Sequence, residues 1–151
     1  MPARRQHAAF DERLARPSAS QNAGIPVRDV MILRTYLIGK LHGVRLTDKN
    51  LYYQGSITLS REYLEAANLH PHELVQVVNV TTGARLTTYI IPTDEPGVCA
   101  LNGGAARHAE IGDLMIVMSF GHSDKPIEPR IAIVGEDNRV ERTFVGHLPP
   151  V

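Results

Sequence analysis

At 151 residues the chain has the length of one domain with a sizeable core, and its 43% hydrophobic content is ordinary for a soluble protein. Sixteen basic and sixteen acidic residues cancel, and aromatics are only 5% with no tryptophan, so neither charge nor base stacking points to nucleic acid or a membrane surface as a partner. No apolar run is long enough to span a membrane, and the single cysteine, Cys99, cannot form an internal disulfide, which fits a reducing cytoplasm.

Residues 1–30 differ in composition from the rest, with five arginines, three acids and one aromatic, Phe10. Pro17-Ser18-Ala19-Ser20-Gln21-Asn22-Ala23-Gly24 has the signature of a loop or of disorder. The segment lacks the contiguous apolar stretch of a secretory signal, and Asp11, Glu12 and Asp29 count against an organelle transit peptide. A flexible extension is predicted over 1–30, unless translation starts at Met31. From there β signals dominate. Residues 31–37 and 44–46 are β-prone pieces interrupted by Gly39 and Gly43. Residues 51–53 and 57–59 are β-prone runs flanking Gly55-Ser56. Ser60 is placed to cap a short helix over 61–67, with Glu62 favourable in its first turn. The valine-rich run 74–80 predicts a buried strand, Thr82-Gly83 a turn, and 86–91 the returning strand, ended by Pro92 to Gly97. Further strands are expected over 98–101, 114–119, 131–134 and 140–144, before a frayed tail over 145–151. Many short strands with closely spaced turns predict a mainly β domain over 31–144, a barrel or a sandwich.

Gly55-Ser56 is the stretch with chemical potential. A Gly-Ser pair alone reads as a turn. Held rigidly between β-prone runs, it is also a place where the chain can cut itself. If the Ser56 hydroxyl attacks the Gly55 carbonyl, the amide becomes an ester, and glycine suits the attacked position because it has no β-carbon and tolerates strained dihedrals. β-Elimination then frees a chain ending at Gly55, and hydrolysis of the resulting dehydroalanine leaves a pyruvoyl group at position 56. Such a carbonyl condenses with amines and accepts electrons.

Other residues have plain readings of their own. Tyr89, after Thr87-Thr88, is a tyrosine of a half-buried strand. Arg85 and Lys40 are solvated charges, although an arginine fork and a compact lysine charge both suit carboxylates. Asn102-Gly103-Gly104-Ala105-Ala106 is a tight turn that can open a short helical turn, with free N–H groups and small side chains to admit an anion. His70-Pro71-His72-Glu73 holds three potential metal ligands, but the proline and the incomplete spacing make it a solvated turn, and no metal is expected. Nothing places Cys99 and His108 together as a dyad, and Cys99 is read as a small buried hydrophobe.

The chain resembles the precursors of bacterial aspartate 1-decarboxylases. Carrying this are Arg34-Thr35, Gly39-Lys40-Leu41-His42 and Tyr53-Gln54-Gly55-Ser56-Ile57-Thr58. Further on come Asn79-Val80-Thr81-Thr82-Gly83-Ala84-Arg85, Thr87-Thr88-Tyr89, Leu101-Asn102-Gly103-Gly104-Ala105-Ala106-Arg107 and Ile111-Gly112-Asp113. These blocks stand in the family's order across residues 31–140. The resemblance implies a closed six-stranded double-psi β-barrel with short helices and a homotetramer with active sites at subunit boundaries. It implies a pyruvoyl cofactor derived from Ser56 and conversion of L-aspartate to β-alanine, through a Schiff base, for pantothenate synthesis. It makes Tyr89 the proton donor after carbon dioxide leaves and Thr88 the residue that steadies the oxyanion of cleavage and later contacts substrate. It sets Arg85, Lys40, Gly103, Gly104 and Ala105 at the substrate, Asn102 toward the processing site with Gly55, and His42 near the active region. Gly104 departs from the alanine usual in the family, which adds backbone freedom there. Two alternatives stand beside this reading: a non-enzymatic barrel that never cleaves, and a pyruvoyl decarboxylase for another amino acid.

Overall fold

The structure, a computed structural model, describes residues 30–147, and all that follows belongs to the unit Leu33–Val151. The extension expected over 1–30 and the last residues of the expected tail, 148–151, lie outside the described residues, Val30 excepted.

The elements run β1 Arg34–Arg45, β2 Asp48–Asn50, β3 Ser56–Ser60, α1 Arg61–Ala67, β4 Leu74–Asn79, β5 Arg85–Thr93, β6 Cys99–Asn102, a 3-10 helix Gly103–His108, β7 Leu114–Ser123, β8 Arg130–Val134 and β9 Val140–Val145. The domain is mainly β, with α1 at its expected residues. Hydrogen bonding links the nine strands in the order β2-β6-β3-β5-β4-β7-β1-β8-β9, with parallel pairs at β1–β8, β2–β6 and β3–β5. Strand alternation sends Leu41, Ile57, Leu59, Val75, Val77, Ile90, Met115 and Val117 to one side, where all are fully buried in a single cluster with Tyr63 of α1. Each such aliphatic side chain contributes about 1.5–3 kcal/mol on burial. Helix α1 touches β3 and β5 as well as β1, β8 and β9, so strands far apart in the order curl around one core.

Five local expectations are corrected. β1 is one strand running through Gly39 and Gly43, and its pairing with β7 is irregular at Ile38, just before Gly39, and at Gly43. A β-carbon on Gly39 would strike Ala67 O and lie 3.0 Å from Asn68 O, so the glycine lets β1 pass beneath the end of α1. Pro92 does not end β5, because β4 covers only Arg85 to Tyr89; at Pro92, β5 has β3 on one side and no N–H to offer the other. Ser60 occupies the cap position of α1 without capping it: its hydroxyl donates to Glu95 O at 2.7 Å and accepts from Val98 N at 2.6 Å. Leu51-Tyr52-Tyr53 forms an exposed turn, with Tyr52 97% exposed, and the strand lies just before it in β2. At the other end, β9 runs one residue past the expected strand, to Val145 opposite Arg130.

Among the described residues no helix is long and apolar enough to cross a membrane.

Candidate active site

Three neighbouring strands assemble the centre of the site. β3 lies between β6 and β5, antiparallel to the first and parallel to the second. Ser56 is paired with Asn102 across β3–β6, and Thr58 with Ala100. Ile57 is paired with Ile90, which sets Ser56 and Tyr89 one residue before that pair on adjacent strands. Because Ile57 and Ile90 are both in the core, Ser56, Thr58, Asn102 and Tyr89 take the opposite, outward face.

On that face the Ser56 side chain is completely covered. Its hydroxyl donates to Gln54 O at 3.3 Å and accepts from Asn102 Nδ2 at 2.9 Å. The same Asn102 nitrogen donates to Thr58 Oγ1 at 3.0 Å, so the amide's two hydrogens serve two hydroxyl oxygens. Thr58 is a site residue that the sequence reading leaves out. The signal that finds it is alternation, which puts residues 56 and 58 on one face of a strand. Asn102, Thr58, Tyr53, Asn50, Thr93 and Ile91 are among the residues lining a cavity of about 570 Å³ beside this cluster.

The 3-10 helix begins where β6 ends, as the turn-then-helix reading of this stretch expects. Gly103 has φ +60, and a β-carbon there would fall 2.7 Å from Tyr53 O and 2.8 Å from both Gly55 Cα and Gly55 N. Only glycine allows this contact, so Gly103 lies flat against the residue expected to be attacked. Gly104 has open space where a β-carbon would go. Its departure from alanine therefore removes no contact within the chain. Ala105 is buried, and the far end of the helix is tied down by Asn79. Asn79 Nδ2 donates to His108 O at 3.1 Å and to Asp113 Oδ2 at 2.7 Å, while Asn79 Oδ1 accepts from Thr82 N at the β4–β5 turn. Asp113 Oδ2 also accepts from Glu110 N at 2.9 Å. These donors, Glu110 N first, hold the Asp113 carboxyl below its ordinary value of 3.8.

The remaining expected residues lie further off. Arg85 and Tyr89 share the outward face of β5 and are exposed. Pairing sets Arg85 opposite Val78, Val78 opposite Ile116 and Ile116 opposite His42. A parallel row runs from Thr87 through Gln76 and Met118 to Lys40. Lys40 and His42 are thus on the same outward face as Arg85 but on β1, separated from β3 by β5, β4 and β7. Thr88 alternates to the other side of β5, where its partner Val75 is fully buried. His42 Nδ1 is buried without a hydrogen-bond partner among the described residues; burial first, and the Lys40 charge second, lower its pKa from 6.5. Cys99 is fully buried, and burial pushes its thiol up to about 12, far from the thiolate a hydrolase dyad requires. Among the described residues no three His, Cys, Asp or Glu side chains gather as a metal site.

A sequence profile described as aspartate decarboxylase matches residues 32–141. The chain belongs to the aspartate decarboxylase family. The aspartate 1-decarboxylase of Listeria monocytogenes serotype 4a is 47% identical over 116 residues, which cover 73% of this chain and 91% of that protein. That of Bacillus licheniformis is 42% identical over 121 residues, covering 77% and 94%. That of Pyrobaculum islandicum is 54% identical over 84 residues, covering 56% and 69%. The profile match spans every strand from β1 to β8, so the whole Ser56–Asn102–Gly103 cluster lies within the family region.

Proposed function

We propose that this chain is a self-cleaving, pyruvoyl-dependent aspartate 1-decarboxylase that turns L-aspartate into β-alanine and carbon dioxide, supplying pantothenate synthesis in the cytoplasm. The observation that carries the reading is the buried contact of Asn102 Nδ2 with Ser56 Oγ, closed from the other side by Gly103 against Gly55. The relatives' names support the substrate.

In the first stage Ser56 Oγ bonds to the Gly55 carbonyl carbon, the amide bond from that carbon to the Ser56 nitrogen breaks, and the hydroxyl proton ends on the freed amine. Water then takes the Ser56 α-proton, the Cβ–Oγ bond breaks, and Gly55 leaves as a carboxylate. Hydrolysis of the dehydroalanine releases ammonia and gives the pyruvoyl group. That group fits its surroundings, because the site offers a fixed N–H donor and a side-chain-free wall at the cut bond. Bound covalently at position 56, it supplies a carbonyl that condenses with the substrate amine and takes up the electrons left by carbon dioxide. Tyr89, one register step from Ile90 beside Ser56, holds the proton that returns to the substrate carbon. A positioned acid of this kind contributes roughly 10²–10⁴-fold. Gly103, Gly104 and Ala105 border the substrate, and Arg85 and Lys40 hold its carboxylates. For Thr88 the part in cleavage and substrate contact rests on the family resemblance alone, because alternation carries its side chain to the other side of β5 from Tyr89 and Ser56.

The barrel and the assembly belong to the same reading. That α1 touches strands from distant parts of the sheet order supports closure into the family's six-stranded double-psi barrel. Lys40 is several strands from Ser56, and the face between them exposes Leu74 by 69%. A homotetramer joined across that face brings Lys40 of one subunit to the cut end of another.

Intact mass under denaturing conditions tests the reading. Purified protein should resolve into a fragment ending at Gly55 and a second fragment beginning with pyruvoyl, and Ser56→Ala should stay whole and inactive. A wild-type chain that stays full-length after prolonged warm incubation, with or without host extract, refutes self-processing. A cleaved chain that releases no β-alanine from aspartate points instead to a different amino-acid substrate.

A further inference from the structure

Asn102 meets Ser56 through its nitrogen, and the structure shows what sets that orientation. The two ends of an asparagine amide have nearly the same shape, so neighbouring groups decide which end faces inward. Ser56 already donates its proton toward Gln54 O, which leaves its oxygen to accept. The second Asn102 hydrogen goes to Thr58 Oγ1. Asn102 is only 6% exposed, so a hydrogen without that acceptor would be buried unpaired. Without Thr58, turning the amide over would bring its oxygen to Ser56 and remove the unpaired hydrogen.

The orientation matters at one step of self-cleavage. In the ester, Ser56 Oγ bridges the Gly55 carbonyl carbon and Ser56 Cβ. When water removes the α-proton and a double bond forms between Cα and Cβ, the Cβ–Oγ bond breaks and its electron pair stays on Oγ, now a Gly55 carboxylate oxygen. An N–H donor aimed at Oγ stabilises the charge that collects there, whereas a carbonyl oxygen repels it. We propose that Thr58 is a positioning residue for self-cleavage: its hydroxyl anchors the Asn102 amide so that an N–H stays on Ser56 Oγ as the Gly55 carboxylate leaves. This rests on the self-cleavage reading above and adds a residue and a step to it.

The test follows Thr58→Val and Thr58→Ser beside the wild type, by intact mass with and without hydroxylamine, which splits an ester but spares an amide. Thr58→Ser keeps the hydroxyl and should process as the wild type does. Thr58→Val should form pyruvoyl at least about tenfold more slowly, the fold-change expected from loss of one such donor being of this order or larger. Its full-length fraction should be split by hydroxylamine at residue 55 to a greater extent than that of the wild type. Thr58→Ala, which adds no bulk beside Ile91, should give the same two results if valine disturbs folding. Pyruvoyl formation by Thr58→Val and Thr58→Ala at the wild-type rate overturns the proposal. So does a folded, uncleaved variant that resists hydroxylamine, since the block then precedes the ester. A wild type that neither cleaves nor yields to hydroxylamine refutes the underlying self-cleavage reading, a result distinct from either of these.

Discussion

Gly103 lies against Gly55 so closely that a β-carbon on it would fall 2.8 Å from the Gly55 Cα, while the next residue, Gly104, faces open space. Two adjacent glycines therefore predict opposite outcomes. Gly103→Ala both forces an alanine into a left-handed backbone at φ +60, a strain of about 1–3 kcal/mol, and drives its methyl into the Tyr53–Gly55 backbone. It should block or strongly slow cleavage in the intact-mass assay. Gly104→Ala should cleave like the wild type. Equal processing of both variants would show that the loop can shift without cost to the reaction.

Tyr89→Phe separates the two jobs of the site. Cleavage needs Ser56, the Gly55 carbonyl and the Asn102 donor, and none of these requires an acid at Tyr89. The variant keeps the ring and loses only the hydroxyl. Both fragments and the pyruvoyl group should form, while β-alanine production falls by roughly 10²–10⁴-fold. Wild-type turnover would assign the proton to another group.

His42 should titrate below 6.5 in the folded chain, since burial and then the Lys40 charge both disfavour its cation. The unfolded chain takes up this proton first as pH falls. The contribution of His42 to stability is therefore whole above 6.5 and is lost as pH drops through the folded value. Lys40→Gln should move the folded value upward without restoring 6.5, because the larger cause remains. Histidine ring signals followed by NMR across pH 4–8 measure both values, and an unchanged midpoint would remove Lys40 from the account.

Asp113 behaves as a depressed carboxylate. Its stabilising contribution is present above the ordinary value of 3.8 and is lost as pH falls through the lower folded value. Asp113→Asn should lower the melting temperature at neutral pH and flatten its fall on the acid side. Melting curves taken from pH 7 to pH 2 test this, and an unchanged acid limb would show that Asn79 and Glu110 N hold nothing of consequence there.

Much of this protein is determined by sequence alone. The strand in the valine-rich run 74–80, the turn at Thr82-Gly83 and the helix over 61–67 each follow from local periodicity and turn chemistry, which nearby residues settle among themselves. That strand forms over Leu74–Asn79 with alternate residues buried, and not as a wholly buried strand. The family blocks around Gly55-Ser56 and Asn102-Gly103 are likewise local strings, so they could be read without the fold. The errors fall where a distant partner decides. Ser60 is a good cap by sequence, but Glu95 and Val98 reach its hydroxyl first. Pro92 is a breaker by sequence, and it continues a strand because β4 stops short of it. Only tertiary structure decides that β6 pairs with β3, which places Asn102 on Ser56 and brings Thr58 to the same amide, and that Gly103 turns back onto Gly55. The physical reason is that strand pairing joins residues 46 positions apart, as between Ser56 and Asn102, through backbone hydrogen bonds that carry no side-chain signature. The residues of the site are written in the chain; their contacts are set by which strands lie side by side.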